Sequence, residues 1–320
     1  MILKRRLGKT GLDICPIGLG TWPISGSGYG RTDDNESIKV VQQAIDRGVN
    51  FIDTADVYGN GHCECLIGKA IEGKRDQVYL ASKVGWDFYH GLIHANYDCS
   101  YIRFAIEESL KRLSTDHIDL YQLHNPPLDL IHDDCVIELL DALRREGKIR
   151  FWGVSIHEPE EGLRWVEDSR VQTLQVACNM MDQRSVERLF PIAKANNIGL
   201  IDREPLACGI LSGKYGEKHR FSKKDHRNRW PREKLKNDII KVSMLKDILS
   251  VGTVPLAQLA IEFCLHFDAV SVVIPGAKTC DQLITNMAAL TRTYIDCSLH
   301  ERIQNCYKEK AIFHSGFYRN

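Results

Sequence analysis

Strand-like and helix-like segments alternate along the whole of this chain, and that alternation limits its fold more than any other feature. A short hairpin comes first, over 2–7 and 12–15 around a Gly8 to Gly11 turn, and 17–20 reads as a buried strand end. Short apolar runs at 51–53, 78–81, 118–123, 149–154, 174–177, 198–202 and 271–274 read as strands. Between them lie segments read as helices: 36–47, 63–72, 101–113, 135–145, 159–166, 186–195 and 281–290. In the first of these Ile38, Val41 and Ile45 recur at helical spacing and Gly48 supplies the stop. Strand-to-helix repeats without antiparallel runs predict a parallel sheet. About eight such units predict a single (β/α)8 TIM barrel with an N-terminal β-hairpin, one domain over 1–320. No Ser/Gly/Pro-rich linker divides the chain. The one irregular stretch, 215–232, is rich in Lys, Arg and His; it reads as a solvated loop, with a lid over an anionic ligand as the sharper alternative.

Charge and composition exclude several classes of partner. Lys plus Arg equals Asp plus Glu at 42 each, so nothing favours a nucleic acid or a membrane surface. The N-terminus has no apolar signal core and no run of eighteen apolar residues occurs, which predicts a cytoplasmic protein. The 11 cysteines are an odd number in a long chain, which reads as reduced thiols used as small core hydrophobes. His62-Cys63-Glu64-Cys65 lacks a second ligand pair at zinc spacing, so no metal is expected. Gly8-Lys9-Thr10 has Leu3 where a phosphate loop needs glycine. Gly18-Leu19-Gly20 has Pro23 where a dinucleotide fingerprint needs glycine. Any dinucleotide is therefore bound without the doubly wound motif.

Polar residues gather where barrel strands end, which is where barrel enzymes carry their chemistry. Asp53, Lys83 and His124 each close an apolar run, and Ser155 and His157 close another. Gln175 and Asn179 lie on the next, and Tyr58 follows Asp53 by five residues. A lone polar residue after a strand is commonly a cap, but this set would converge on one mouth. Tyrosine is a poor acid at neutrality, and a nearby ammonium lowers its pKa. An aspartate keeps that ammonium charged, and a histidine can hydrogen-bond a carbonyl oxygen. Such a group could polarise a carbonyl and protonate its oxygen as hydride reaches carbon. No G-x-S-x-G elbow is present for serine acyl transfer.

The ordered motifs resemble the aldo-keto reductase superfamily over nearly the whole chain. They are Gly18-Leu19-Gly20-Thr21-Trp22, Asp53-Thr54-Ala55-Asp56-Val57-Tyr58-Gly59 with Glu64, Ser82-Lys83, Leu123-His124-Asn125-Pro126 and Gly153-Val154-Ser155. Further along come Gln175 with Asn179, Pro205-Leu206 with Gly209 to Lys214, and Ile274-Pro275-Gly276-Ala277-Lys278 with Gln282 and Asn286. The resemblance implies a (β/α)8 barrel that binds NADP(H) in extended form. It implies a catalytic tetrad of Asp53, Tyr58, Lys83 and His124, with Tyr58 as proton donor and Lys83 lowering its pKa. Ser155, Asn125 or Gln175 would lie near the nicotinamide carboxamide. Pro205, Leu206, Gly209, Leu211, Gly213 and Lys214 would cradle the pyrophosphate. Lys278 would face the adenosine 2′-phosphate, and Gln282 and Asn286 the adenine. Gly20, Thr21, Trp22, Asp53, Arg203, Ile274 and Gly276 complete the expected cofactor set. Trp22, Tyr58, Trp86, His124 and Asn125 would meet substrate, with Phe88 and Tyr89 as further candidate walls. Arg203-Glu204 stands where many relatives place an aromatic, and arginine can stack through its planar face. Gln282 stands where other branches place arginine, which leaves NAD(H) open beside NADP(H).

The implied activity is reduction of an aldehyde or ketone, with sugar-like carbonyls among the candidates, by direct hydride transfer to a small-molecule substrate. The alternatives are a cofactor-holding regulatory subunit of the same fold, or an enzyme oxidising a sugar or alcohol.

Overall fold

A computed structural model of the chain describes residues 2–168, 170–250 and 252–314. It opens with an antiparallel hairpin of β1 (Arg5–Arg6) and β2 (Asp13–Ile14). Then come β3 (Leu19–Gly20), α1 (Asp34–Asp46), β4 (Phe51–Asp53), α2 (His62–Ala70) and β5 (Tyr79–Val84). A second small hairpin, β6 (Trp86–Asp87) and β7 (His94–Ala95), precedes α3 (Cys99–Leu113). The alternation resumes with β8 (Ile118–His124), α4 (Asp134–Arg145), β9 (Ile149–Ser155), α5 (Pro159–Glu167) and β10 (Thr173–Ala177). After α6 (Leu189–Ala195) and β11 (Gly199–Arg203), two helices follow in succession, α7 (Arg232–Leu249) and α8 (Leu256–Leu265). The chain ends with β12 (Val270–Val273), α9 (Cys280–Met287) and α10 (Cys297–Glu309).

Eight strands form one parallel sheet in the order β3-β4-β5-β8-β9-β10-β11-β12. Parallel bridges from Ile17 to Val273 and from Gly20 to Gly276 join its two edges, so the sheet curls into a barrel. Strands buried on both faces read as continuous apolar runs, and all of β4 is buried. The register then aligns the strand ends: Gly20 pairs with Asp53, Lys83 with Gln122, His124 with Ser155 and Ala177 with Arg203. One cluster fills the barrel, with Phe51, Ala81, Leu120, Ile201 and Val272 meeting Leu7, Leu12 and Ile14 of the opening hairpin. That hairpin stoppers the end opposite the rim where these strand ends lie. The larger cluster lies between sheet and helices.

Four expectations need correction. Antiparallel pairing is not confined to the opening hairpin, because β6 and β7 form another. Helices α7, α8 and α10 add to those expected from sequence; every residue of α8 is buried, Gln258 and Glu262 included, so it carries no solvent-exposed face. The loop 215–231 is not simply solvated. Asp225 bridges to Tyr29, the His226 amide donates to the Gly28 carbonyl at 2.9 Å, and Arg227 is buried. Finally, not all cysteines are free, since Cys99 and Cys135 form a disulfide between the starts of α3 and α4. Most of the free cysteines are buried.

Candidate active site

The end of β4 places Asp53 at the barrel mouth, and the end of β5 brings Lys83 to it. The Lys83 ammonium donates to Asp53 Oδ2 at 2.5 Å, to the Thr54 carbonyl at 2.8 Å and to the Tyr58 hydroxyl at 3.3 Å. Asp53 Oδ1 accepts from Gln175 Nε2 at 2.6 Å and from Gln122 Nε2 at 3.4 Å. Ser155 Oγ donates to Gln175 Oε1 at 3.4 Å. His124, at the end of β8, stands edge-on to Tyr58 with ring centroids 6.0 Å apart. Its carbonyl accepts from Trp86 Nε1 at 3.0 Å and from the Tyr97 hydroxyl at 2.7 Å. Asn125 follows in a left-handed conformation, φ 57°, which asparagine tolerates better than most residues. The sequence-predicted tetrad is therefore one constellation in space, with Lys83 fully buried behind Tyr58.

Burial opposes charge on Lys83, but Asp53 and then Tyr58 outweigh it and raise its pKa. Burial also raises the Tyr58 phenol above its ordinary value, with Lys83 pulling the other way. Lys83 thus acts on Tyr58 in the expected direction, and desolvation of the phenolate outweighs it. Burial, then Lys83 and Arg203, hold the His124 pKa well below its ordinary value, so its imidazole is neutral at pH 7.

From this cluster a cleft of about 1130 Å³ runs to α9. Of the sequence-predicted residues, Gly20, Thr21, Trp22, Asp53, Tyr58, Trp86, His124, Asn125, Ser155, Gln175, Arg203, Pro205, Leu206, Gly209 and Lys214 line it. Ile274, Gly276, Lys278, Gln282 and Asn286 line the remainder. Leu211 and Gly213 do not: Leu211 is packed in the core, and Gly213 faces Leu256 and Lys246. Phe88 and Tyr89 are not walls either. They stack on each other, and Arg112 lies over both rings on the helix side of β5. Arg203 pairs with Glu204 and donates to the Ile156 carbonyl at 3.2 Å. Lys278 lines the far end, where its ammonium donates to the Tyr29 and Arg31 carbonyls at 3.0 Å each.

Sequence reasoning missed several lining residues, among them Tyr29, Arg227 and Asp281. Arg227 pairs with Asp225, donates to the Cys208 carbonyl at 2.9 Å and lies over the rings of Tyr29, Tyr215 and Phe221. It fastens the 215–231 loop across the cleft. The basic composition of that loop was the available signal.

Two kinds of observation show that the cleft suits an elongated polar ligand. His124 Nδ1 and Asn125 Oδ1 are buried with no hydrogen-bond partner, so the mouth holds unspent polar capacity. At the cradle, a Cβ on Gly209 would come within 3.2 Å of the Arg227 guanidinium, so glycine there leaves room beside a cation. Among the described residues, no group of three or more His, Cys, Asp or Glu could hold a metal ion, and no helix is long and apolar enough to cross a membrane.

Comparison with known proteins agrees with this geometry. The model of the Aldo/keto reductase family matches residues 16–308. The chain is 35% identical over 284 residues to the aldo-keto reductase YhdN of Bacillus subtilis, covering 87% of this chain and 85% of that relative. The holo form of aldo-keto reductase AKR11C1 from Bacillus halodurans superposes with a TM-score of 0.81 at 30% identity, covering 95% of this chain and 96% of that one. The glycerol dehydrogenase AKR11B4 from Gluconobacter oxydans superposes with a TM-score of 0.79 at 26% identity, covering 95% of each chain. The chain, with its barrel of parallel strands and its strand-end polar cluster, belongs to the aldo/keto reductase family.

Proposed function

We propose that this protein, as one barrel domain over 1–320, reduces an aldehyde or ketone to an alcohol with a nicotinamide cofactor, NADP(H) in the first place and NAD(H) as the alternative. The observation that carries the reading is the Lys83 ammonium held between Asp53 and the Tyr58 hydroxyl, beside a neutral His124. When bound, the cofactor supplies hydride. Tyr58 keeps its proton at neutral pH and gives it to the substrate oxygen. Lys83 stabilises the phenolate left behind, and Asp53, held by Gln175, keeps Lys83 charged. His124 donates a hydrogen bond to the same oxygen. Trp22 and Trp86 flank the site and exclude water.

Arg203, Pro205, Leu206, Gly209 and Lys214 would hold the central part of the cofactor. Asn125, with its unspent Oδ1, would accept from the carboxamide. Ser155 and Gln175 stand by. Ile274, Gly276, Gln282 and Asn286 would hold the adenosine end, with Lys278 toward a 2′-phosphate. The oxidative direction is the second reading, favoured by the likeness to a glycerol dehydrogenase.

Incubation with NADPH and a panel of aldehydes and ketones is expected to consume the reduced nicotinamide absorbance. Tight cofactor binding with no turnover on any carbonyl would instead indicate a cofactor-holding regulatory subunit. Lys278→Ala is expected to weaken NADPH binding well beyond NADH binding in fluorescence titrations. Equal weakening of the two would assign Lys278 to anchoring the 22–31 loop alone.

A further inference from the structure

Behind the tetrad, away from the cleft, lies a second buried polar cluster between β5, α2 and α3. Asp56 and Glu64 are both fully buried, at 0% exposure, as is Lys83. With Asp53 and Arg112, the region holds three carboxyl groups and two cations. None of the hydrogen bonds that these two cations make in the structure goes to Asp56. Lys83 gives its three protons to Asp53, Thr54 and Tyr58. Arg112 donates to Glu64 Oε2 at 2.8 Å, to the Tyr89 hydroxyl at 2.6 Å and to Ser109 Oγ at 3.2 Å. Ser82 Oγ, next to Lys83, donates to Glu64 Oε1 at 2.6 Å. Asp56 Oδ1 accepts only the Val57 amide at 2.6 Å, and its Oδ2 is buried with no partner.

A third carboxylate here would be a buried charge without a counterion, which proteins avoid by protonating the group. We propose that Asp56 is held as an un-ionised carboxylic acid and is a positioning residue, leaving Asp53 the only carboxylate charge set against Lys83 behind Tyr58. The inference rests on Tyr58 as the proton donor proposed above. Besides Glu64, Arg112 and Lys83, the titratable groups that act on or feel Asp56 are the phenols of Tyr89, Tyr97, Tyr101 and Tyr121, none of them a cation. Burial, and after it Glu64, push the Asp56 carboxyl well above the ordinary carboxylate range. The location gives this proton its consequence. Asp56 lies two residues before Tyr58, and its amide donates to the Lys83 carbonyl at 3.4 Å. Were Asp56 ionised, a second negative charge near Lys83 would disfavour the Tyr58 phenolate and so oppose proton release.

The test combines infrared difference spectra of the whole protein in D2O with pH–rate profiles. Wild type minus Asp56→Asn at neutral pH is expected to show the carbonyl stretch of one un-ionised carboxylic acid. Glu64→Gln removes the nearby like charge and leaves burial in place, so Asp56 should ionise at lower pH than in wild type. That variant is expected to lose the same band at lower pH as the pH is raised and, once it is lost, to show the high-pH limb of carbonyl reduction displaced upward by about one pH unit. Absence of the band in the wild-type difference at neutral pH would overturn the proposal. So would a band in Glu64→Gln that survives to the same pH as in wild type, or an unmoved limb once the band is lost. If Asp56→Asn does not fold, wild type minus Glu64→Gln at a pH between the two losses reports the same band. The infrared arms need no turnover, so a protein that reduces no carbonyl fails the functional reading without deciding this one.

Discussion

Tyr58→Phe is expected to lower kcat for carbonyl reduction by roughly 10²–10⁴-fold, the usual worth of a positioned general acid, with dinucleotide affinity nearly unchanged. The substitution keeps the ring that lies against Trp22 at 6.3 Å and against His124 at 6.0 Å, and removes only the hydroxyl that Lys83 holds. A packing role would therefore survive it and a proton-donating role would not. Steady-state kinetics with fluorescence titration of the cofactor separates the two. Full activity in this variant would remove Tyr58 from the mechanism.

Lys83→Met should act on stability and on rate together. Lys83 and Asp53 are almost wholly buried, and loss of one partner strands the other charge. Breaking a buried pair in this way costs about 3–5 kcal/mol, measurable as a lower urea midpoint. Reduction should also collapse, since nothing then stabilises the Tyr58 phenolate. The double variant Asp53→Asn with Lys83→Met decides between the effects. It should recover much of the stability, because the new side-chain amide oxygen can still accept from Gln175, yet it should stay inactive. Recovery of activity with stability would reduce the ion pair to a structural prop.

The gathering of Asp53, Lys83 and His124 at one rim was legible in the sequence because each closes an apolar strand run, and parallel register brings such ends together. Tyr58, and the choice of these four from among the other strand-end polar residues, came from the family resemblance. Gln122 was not legible: it sits inside β8 among apolar neighbours, and only the closed barrel turns it toward Asp53. Phe88 and Tyr89 misled because a residue after a strand end need not point at the mouth, and the β6–β7 hairpin turns these two outward onto Arg112. Leu211 and Gly213 misled because a motif marks a segment and not the direction of each residue in it. Helix α8 escaped notice because burial on all sides leaves no solvent-exposed face to mark it. The direction of the Tyr58 pKa depends on how much water the finished fold removes, which no local pattern encodes.

The plug formed by Leu7, Leu12 and Ile14 has a consequence for traffic. A barrel sealed at its base is a cul-de-sac, and everything that reacts must enter and leave by the same rim. Tyr58 lies at the inner end of the cleft, and the 215–231 loop crosses it farther out. Whatever reaches Tyr58 therefore shares one opening with whatever fills the outer cleft, a constraint set by a pair of short strands at the far end of the molecule.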